Sequence, residues 1–253
     1  MGKKITIVTP VFNSAKTIER TINSVLNQSY KNIEYIIIDG GSTDGTVDMI
    51  KKYEDKISYW VSEKDAGQAD AINKGFKKAT GDIVAWLNGD DEYLPDIFNE
   101  VVKIFESNKN LALVYGNCYA IFEDGTIKEN IPPTKLNYKK MINFGNFINQ
   151  PSSFYNRKIV EEVGYLDDKY NYWMEYDLFI KLLKNGKGFY LNKFLSNFYI
   201  SAEQKSDFKN IVEMDKELRS ISLEYGGKIL NRIFLRQMYN RLRSCWNRKK
   251  NKI

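Results

Sequence analysis

The chain has 253 residues, 43% of them hydrophobic and 14% aromatic, which excludes a disordered chain and is enough core for one large α/β domain or two small ones. It carries a formal charge of +6 and no histidine, which excludes a Ser-His-Asp or Cys-His machine, a His-ligated zinc site and any imidazole acid or base. Cys118 and Cys245 form no CxxC and read as reduced thiols; with no secretory signal in MGKKITIVTP and no apolar run near the roughly 20 residues of a membrane span, a cytoplasmic location is expected.

The first 115 residues alternate. KITIVTP is a β-branched strand, and SAKTIERTINSVLNQ places Ile18, Ile22, Val25 and Leu26 at helical spacing behind a Ser14 cap. NIEYIIID is a second strand, ended by GGSTDGT; TVDMIKKYED is a short helix, with Asp44 as its cap, and ISYWVSE a third strand. QADAINKGFKKAT carries Ile72, Phe76 and Ala79 on one helical face. DIVAWLN is a fourth strand, PDIFNEVVKIFESN a helix starting at Pro95, and ALVYGN closes the series.

Beyond Tyr115, YAIFEDGTIKEN reads as a hairpin through Asp124-Gly125, followed by a Pro132-Pro133 loop and a segment rich in Asn, Phe and Tyr over 136–155. KYNYWMEYDLFIKLLKNG then gives a helix with Tyr176, Phe179, Ile180 and Leu183 inward, stopped by Gly186; Glu175 and Asp177 fall near its start, where the helix dipole favours negative charge. There is no internal repeat and no flexible linker, so the expected organisation is one domain over 1–225 with a helical extension over 226–253.

Strands alternating with helices, apolar on both sides, predict an α/β fold with a Rossmann-like, mostly parallel sheet covered by helices on both faces. Ligands in such sheets sit beyond the carboxyl ends of the strands. The polar clusters TPVFN, DGGSTDGT, EKDAGQ and NGDDE each follow a different strand and should converge on one edge. TPVFNSAKT is neither a GxGxxG nor a GxxxxGK[ST] phosphate loop, which disfavours a dehydrogenase and a P-loop enzyme. What remains is a site of oxygen ligands: Asp39, Asp65, Asn88, Asp90, Asp91 and Glu175. An isolated NGDD could be a solvated turn. In this company it suits a hard divalent cation held with substrate phosphates. Were the ligand a sugar nucleotide, the cation would ease departure of the diphosphate while a separate carboxylate deprotonates the acceptor, since a carboxylate bound to a cation is a poor base.

TPVFNSAKTIERTINSVLNQSYKNIEYIIIDGGSTDGT resembles the opening of the family 2 glycosyltransferases, whose "V-D-D-G-S-x-D-G-T" stands here as Ile38 to Thr46. The similarity continues in order through SEKDAGQADAINKGF, WLNGDDEYLP as a D-x-D-like segment, QPSSFYNRK, and YWMEYDLFIKLLKNG as the "E-D-Y-D-L" segment, covering roughly residues 4–200. The resemblance implies a GT-A fold and inverting transfer of a sugar from a nucleotide-diphosphate donor, a UDP-sugar foremost, with Mn2+ or Mg2+. It implies that Thr9, Pro10 and Asn13 line the nucleotide pocket, that Asp39 bonds the base or ribose, that Asp65 and Gln68 lie near the nucleotide, and that Asp90 holds the metal. Asn88, where many relatives carry Asp, would be a neutral contact to ribose or sugar. Glu175 matches the catalytic base, Asp177 points into structure, and Asp91, Gln150, Pro151 and Ser152 are placed at the sugar or acceptor, with a loop that merely packs as the alternative for 150–152. Many relatives have a histidine where this chain has Ser201, which puts metal affinity and donor preference in doubt.

From Lys228 onward there are nine basic residues and no acidic one. Leu230, Phe234, Leu235, Met238, Leu242 and Trp246 fall on one side of a helix and Arg232, Arg236 and Arg243 on another. Such helices lie on anionic membranes. The alternative is a solvated helix packing its apolar side on the domain; no nucleic-acid motif accompanies the charge. The expectation is a cytoplasmic glycosyltransferase peripherally associated with the inner face of the membrane, acting on a glycan or lipid-linked acceptor. The rivals are a catalytically silent sugar-nucleotide-binding protein and a sugar nucleotidyltransferase.

Overall fold

The β-branched runs of the first 90 residues form β1 (Ile5–Val11), β2 (Ile33–Asp39), β3 (Tyr59–Ser62) and β4 (Ile83–Trp86), parallel neighbours in the order β3-β2-β1-β4. The computed structural model describes residues 2–200 and 210–240. Helices α1 (Ile18–Leu26), α2 (Thr46–Lys51) and α3 (Gln68–Lys78) connect these strands. Then follow β5 (Glu92–Tyr93), α4 (Phe98–Ser107), β6 (Leu111–Phe122), β7 (Ile127–Asn130), α5 (Tyr138–Phe144), a 3-10 turn over Gln150–Ser152, β8 (Ser153–Asn156) and α6 (Arg157–Glu162). The described chain ends with α7 (Met174–Asn185), β9 (Lys187–Ile200), α8 (Ile211–Glu224) and a helix over 232–240.

The sheet continues β4-β8-β6-β9-β5, with β7 paired to β6. Strand β8 is antiparallel to both β4 and β6, so β6 and its parallel neighbour β9 run with β1 to β4. The expected fifth parallel strand is therefore present but one place further out, because β8, from the Asn- and Tyr-rich stretch, is inserted beside β4.

Side chains partition with period two, as pleating requires. Val8, Ile36, Ile38, Val84 and Trp86 face a core under α3, α5, α7 and α8, while Ile5, Ile7, Ile37, Ile83 and Ala85 face one under α1, α2 and α4. Trp86 anchors the first core, its ring 5.9 Å from Phe76 and 5.5 Å from Tyr155. Close approach of α3 to the sheet requires Gly75, where a Cβ would lie 2.3 Å from Val8 Cγ1.

The hairpin through Asp124-Gly125 is present: Gly125 has φ +81° and the Asp124 carboxylate accepts from the Thr126 amide at 2.9 Å. Two helix starts differ from the sequence reading, and one helix stop holds for a different reason. Helix α1 starts at Ile18 rather than behind a Ser14 side-chain cap; the Ser14 carbonyl accepts from Thr17 and Ile18 at 3.0 and 2.9 Å. Helix α4 starts three residues after Pro95, because Gln28 Oε1 takes the Ile97 amide at 3.1 Å. Gly186 does end α7, but at an extended φ of −170°; glycine is needed there because a Cβ would sit 2.6 Å from that of Ala112.

The tail also turns differently. Over 232–240 the helix buries Ile233 and Gln237, while Arg236 pairs with the buried Asp215 of α8 at 3.3 Å and Asn240 donates to the same carboxylate at 2.6 Å. A buried carboxylate holds its cation strongly, and that turns Leu230, Leu235, Met238 and Tyr239 to solvent. Phe234 lies under the Arg219 guanidinium, 4.5 Å away. Ser201, Leu242, Arg243, Cys245 and Trp246 lie outside the described residues. Among the described residues no helix is long and apolar enough to cross a membrane.

Candidate active site

The ends of β1 to β4 come together as the parallel order demands. The Asn13 amide donates to Ser42 Oγ at 2.7 Å and its Oδ1 accepts from the Thr43 amide at 3.0 Å, lacing the first loop to the second. Asn13 itself adopts φ +48°, a conformation asparagine tolerates better than most residues. Asp44 accepts from the Thr46 amide and hydroxyl and, through its other oxygen, from the Ala15 amide; it ties the first loop to the turn before α2 but is not the helix cap, which is Gly45. Those bonds hold its carboxyl below the usual range. Asp65, after β3, lies against Gly40, where a Cβ would meet Asp65 Oδ2 at 2.6 Å and the Phe12 ring at 3.4 Å. Gln68, the first residue of α3, donates to Asn88 Oδ1 at 2.9 Å and joins the third loop to the fourth.

The Asn88-Gly89-Asp90-Asp91 turn is gripped from behind by α1. Thr17, Arg20 and Thr21 donate to the carbonyls of Gly89, Asp90 and Asp91 at 2.8, 2.6 and 2.6 Å. Gly89 is obligatory, since a Cβ would lie 2.8 Å from Val11 Cγ2. Its three following carboxylates have separate fates. Glu92 turns away to Arg20 at 3.7 Å and to the Tyr199 hydroxyl at 2.9 Å. Asp91 is fully buried, with Oδ1 accepting from the Tyr199 amide at 3.0 Å. Burial and the neighbouring Asp90 charge push its carboxyl well above the usual range. That leaves Asp90, half-buried, as the carboxylate at the tip.

Several of the residues expected at the ligand are buried in this structure. Thr9 lies inside the sheet, its hydroxyl 3.1 Å from that of Tyr35, and Pro10 is buried at the end of β1. Asp39 is fully buried and accepts from the Gly41 and Ser42 amides and the Ser42 and Ser62 hydroxyls, which folds its loop. Ser152 is sealed between β6 and β9, bonded to the Asn117 carbonyl and to Ser196, and Pro151 is buried with it. Of that loop only Gln150 stays at the site, donating to the Trp86 carbonyl at 2.8 Å.

Glu175 enters from the first turn of α7. The charge of Glu217 on α8 disfavours its ionisation, and Tyr155, whose ring packs on Trp86 two residues before Asn88, feels the Glu175 charge. Burial, with Glu217 adding to it and the residue's own amide opposing, pushes the Glu175 carboxyl up to about 7. A carboxylate poised there can take a proton at neutral pH. Asp177, one turn face away, is buried against Lys181 at 2.6 Å and the Tyr225 hydroxyl at 2.7 Å, in structure as anticipated.

Phe12 escaped the sequence reading. It stands 61% exposed on the rim beside Asp65, an aromatic face where a base could stack. The signal was available in TPVFN, an aromatic in the polar tip of a strand.

For a cation, the donors are all oxygen, as histidine is absent and no group of three or more His, Cys, Asp or Glu could hold a metal among the described residues. Asp91 Oδ2 is buried beside Asp90 without a hydrogen-bond partner. The Asp91 carboxyl, buried and held protonated, is not a ligand; the half-buried Asp90 carboxylate is the donor at this tip that fits a hard divalent ion whose coordination a diphosphate completes.

Comparison with known proteins agrees with this geometry. A model of the family described as glycosyl transferase family 2 matches residues 6–164. An uncharacterized glycosyltransferase of Rickettsia conorii is 32% identical over 189 residues, 71% of this chain but 31% of its own length, so the chain spans about a third of that relative. Among solved structures, S. aureus TarS 1–349 in complex with UDP-GlcNAc superposes with a TM-score of 0.71 at 16% identity, covering 94% of this chain and 72% of that one. The mannosyltransferase PcManGT from Pyrobaculum calidifontis, in complex with GDP-Man and Mn2+, gives 0.66 at 14% identity over 95% and 69%. The likeness to these is one of fold, and that fold is GT-A.

Proposed function

The chain belongs to glycosyl transferase family 2, and on that premise we propose that it moves a sugar from a nucleoside diphosphate donor to an acceptor hydroxyl in a single inverting displacement. The observation that supports this reading is Glu175, a carboxyl at the first turn of α7 that burial raises to about 7, in a chain that also presents Asp90 on the loop after β4. The two acids suit different tasks. Glu175 takes the proton of the acceptor hydroxyl as the hydroxyl oxygen attacks the anomeric carbon, and its raised midpoint lets it both accept that proton and later release it. Asp90 would hold Mn2+ or Mg2+, which when bound would offset the charge growing on the leaving diphosphate.

Phe12 stacks on the base, with Asp65 and Asn13 beside it, and the Gln68–Asn88 pair faces ribose or sugar. A UDP-sugar is the donor we favour; the UDP-GlcNAc and GDP-Man bound by the solved structures support a nucleotide sugar in general. We take residues 1–225 as the transferase domain and 226–253 as its extension. The exposed row Ile229, Leu230, Leu235, Met238 and Tyr239, with Arg232 beside it, supports docking on an anionic cytoplasmic membrane face, where a lipid-linked glycan acceptor would be presented. Vesicles rich in phosphatidylglycerol should bind the protein, and a Leu235→Ser, Met238→Ser variant should lose that binding; equal binding by both would contradict the docking.

The test of function is nucleotide release from a panel of UDP-, GDP-, dTDP- and CMP-sugars, with and without Mn2+. One donor should turn over, and Glu175→Gln should abolish turnover while the donor still raises the melting point. Full activity in Glu175→Gln would overturn the assignment of the base.

A further inference from the structure

Helix α7 delivers Glu175 from its first turn, yet Trp173 at the cap position makes no side-chain cap bond of its own. The amides before the helix are taken by a side chain from a distant element. Glu217 of α8 accepts from the Asn171 amide at 3.0 Å through Oε2, and from the Tyr172 and Trp173 amides at 2.8 and 2.7 Å through Oε1. The Trp173 indole N–H donates to the Met214 carbonyl, earlier on α8, at 2.9 Å. One carboxylate and one carbonyl thus fasten the entry of α7 to α8. A carboxylate there also meets the positive end of the α7 dipole.

We propose that Glu217 is a positioning residue for Glu175: by holding the amides of 171–173 it sets where the base enters the site. The inference rests on Glu175 being the base. Side chains in a helix lean toward its N-terminus, so the Glu175 carboxylate projects back over the segment that Glu217 grips. A displacement of that segment moves the base, and misplacement by about 1 Å costs roughly 100-fold in rate. Glu217 has a second effect through charge. It lies near enough to disfavour ionisation of Glu175, adding to burial. Tyr155 of β8 also feels the Glu175 charge, and burial keeps its hydroxyl protonated and uncharged; Asp177 on the same helix is paired with Lys181. Glu217 is therefore the charge that tunes the base as well as the clamp that places it.

The test is a 13C titration of glutamate-labelled protein, with the Glu175 signal assigned by its loss in Glu175→Gln, run alongside amide hydrogen exchange at 171–173. Wild type should titrate near 7 with the three amides protected. In Glu217→Gln the Glu175 midpoint should fall below the wild-type value while staying above 4.5, because burial, the larger cause, remains, and exchange at 171–173 should accelerate about tenfold or more, the loss expected for a charged acceptor. Glu217→Asp keeps the charge but shortens the reach, so exchange should accelerate while the midpoint stays raised; it also serves if the glutamine variant does not fold. Wild-type midpoint and exchange in either variant would overturn the inference. Failure of the base assignment shows separately, as nucleotide release that survives in Glu175→Gln.

Discussion

Replacing Glu175 by glutamine should silence the protein and stabilise it, increasingly so as pH rises. In the folded chain the Glu175 carboxyl holds its proton up to about 7, whereas in the unfolded chain it lets go near 4.5. Below 4.5 both states are protonated and the group contributes nothing to the pH dependence. Between 4.5 and 7 the folded state binds more protons than the unfolded one, so stability falls as pH rises, and above 7 the whole penalty is present. At about 1.4 kcal/mol per unit the penalty approaches about 3 kcal/mol. Glutamine has no such titration. The unfolding free energy of Glu175→Gln relative to wild type should therefore climb by about 3 kcal/mol across that window, whatever constant offset the amide introduces. Urea unfolding at a series of pH values measures it, with a melting-point difference of roughly 5–10 °C on the alkaline side for a chain of this size. A difference that stays flat with pH would refute the reasoning, because it would mean that Glu175 is already compensated in the fold. A stabilising, inactivating substitution is what a site that keeps an ill-solvated base should give.

Other substitutions test the rim. Asp90→Ala should abolish the Mn2+-dependent part of nucleotide binding, read by thermal shift, while metal-free binding persists; an unchanged metal-dependent shift would remove Asp90 from that role. Phe12→Ala should weaken nucleotide binding about tenfold, the scale of one base-stacking contact, with an unchanged melting point because the ring is largely exposed; calorimetry decides. Gly89→Ala should cost about 1–3 kcal/mol in urea unfolding, since its Cβ would be driven to 2.8 Å from Val11 Cγ2.

The sheet was legible because β-branched runs alternate with amphipathic helices and each run ends in a polar cluster; the convergence of those clusters follows from parallel order alone. The place of β8 was not, since four residues in an Asn- and Tyr-rich stretch carry no period, and their pairing with β4 and β6 is decided by tertiary contact. At the site, residue types that chemistry needs were found, but not which way each points. Thr9, Asp39, Asp91 and Ser152 are buried; Asp39 turns inward because its carboxylate satisfies the Gly41 and Ser42 amides of its own loop. Glu217 was invisible for a related reason: its partners are backbone amides of a segment distant in sequence, and no motif spacing records them. Arg236 likewise followed a buried carboxylate, Asp215, rather than the helical wheel.

Nucleotide release from the donor panel, followed with wild type and Glu175→Gln in parallel as a function of pH, bears most directly on the central claim. A single donor turned over by wild type, with an acidic limb near 7 that vanishes along with the activity in the glutamine variant, is the predicted result. Turnover by the variant with the same limb would contradict it.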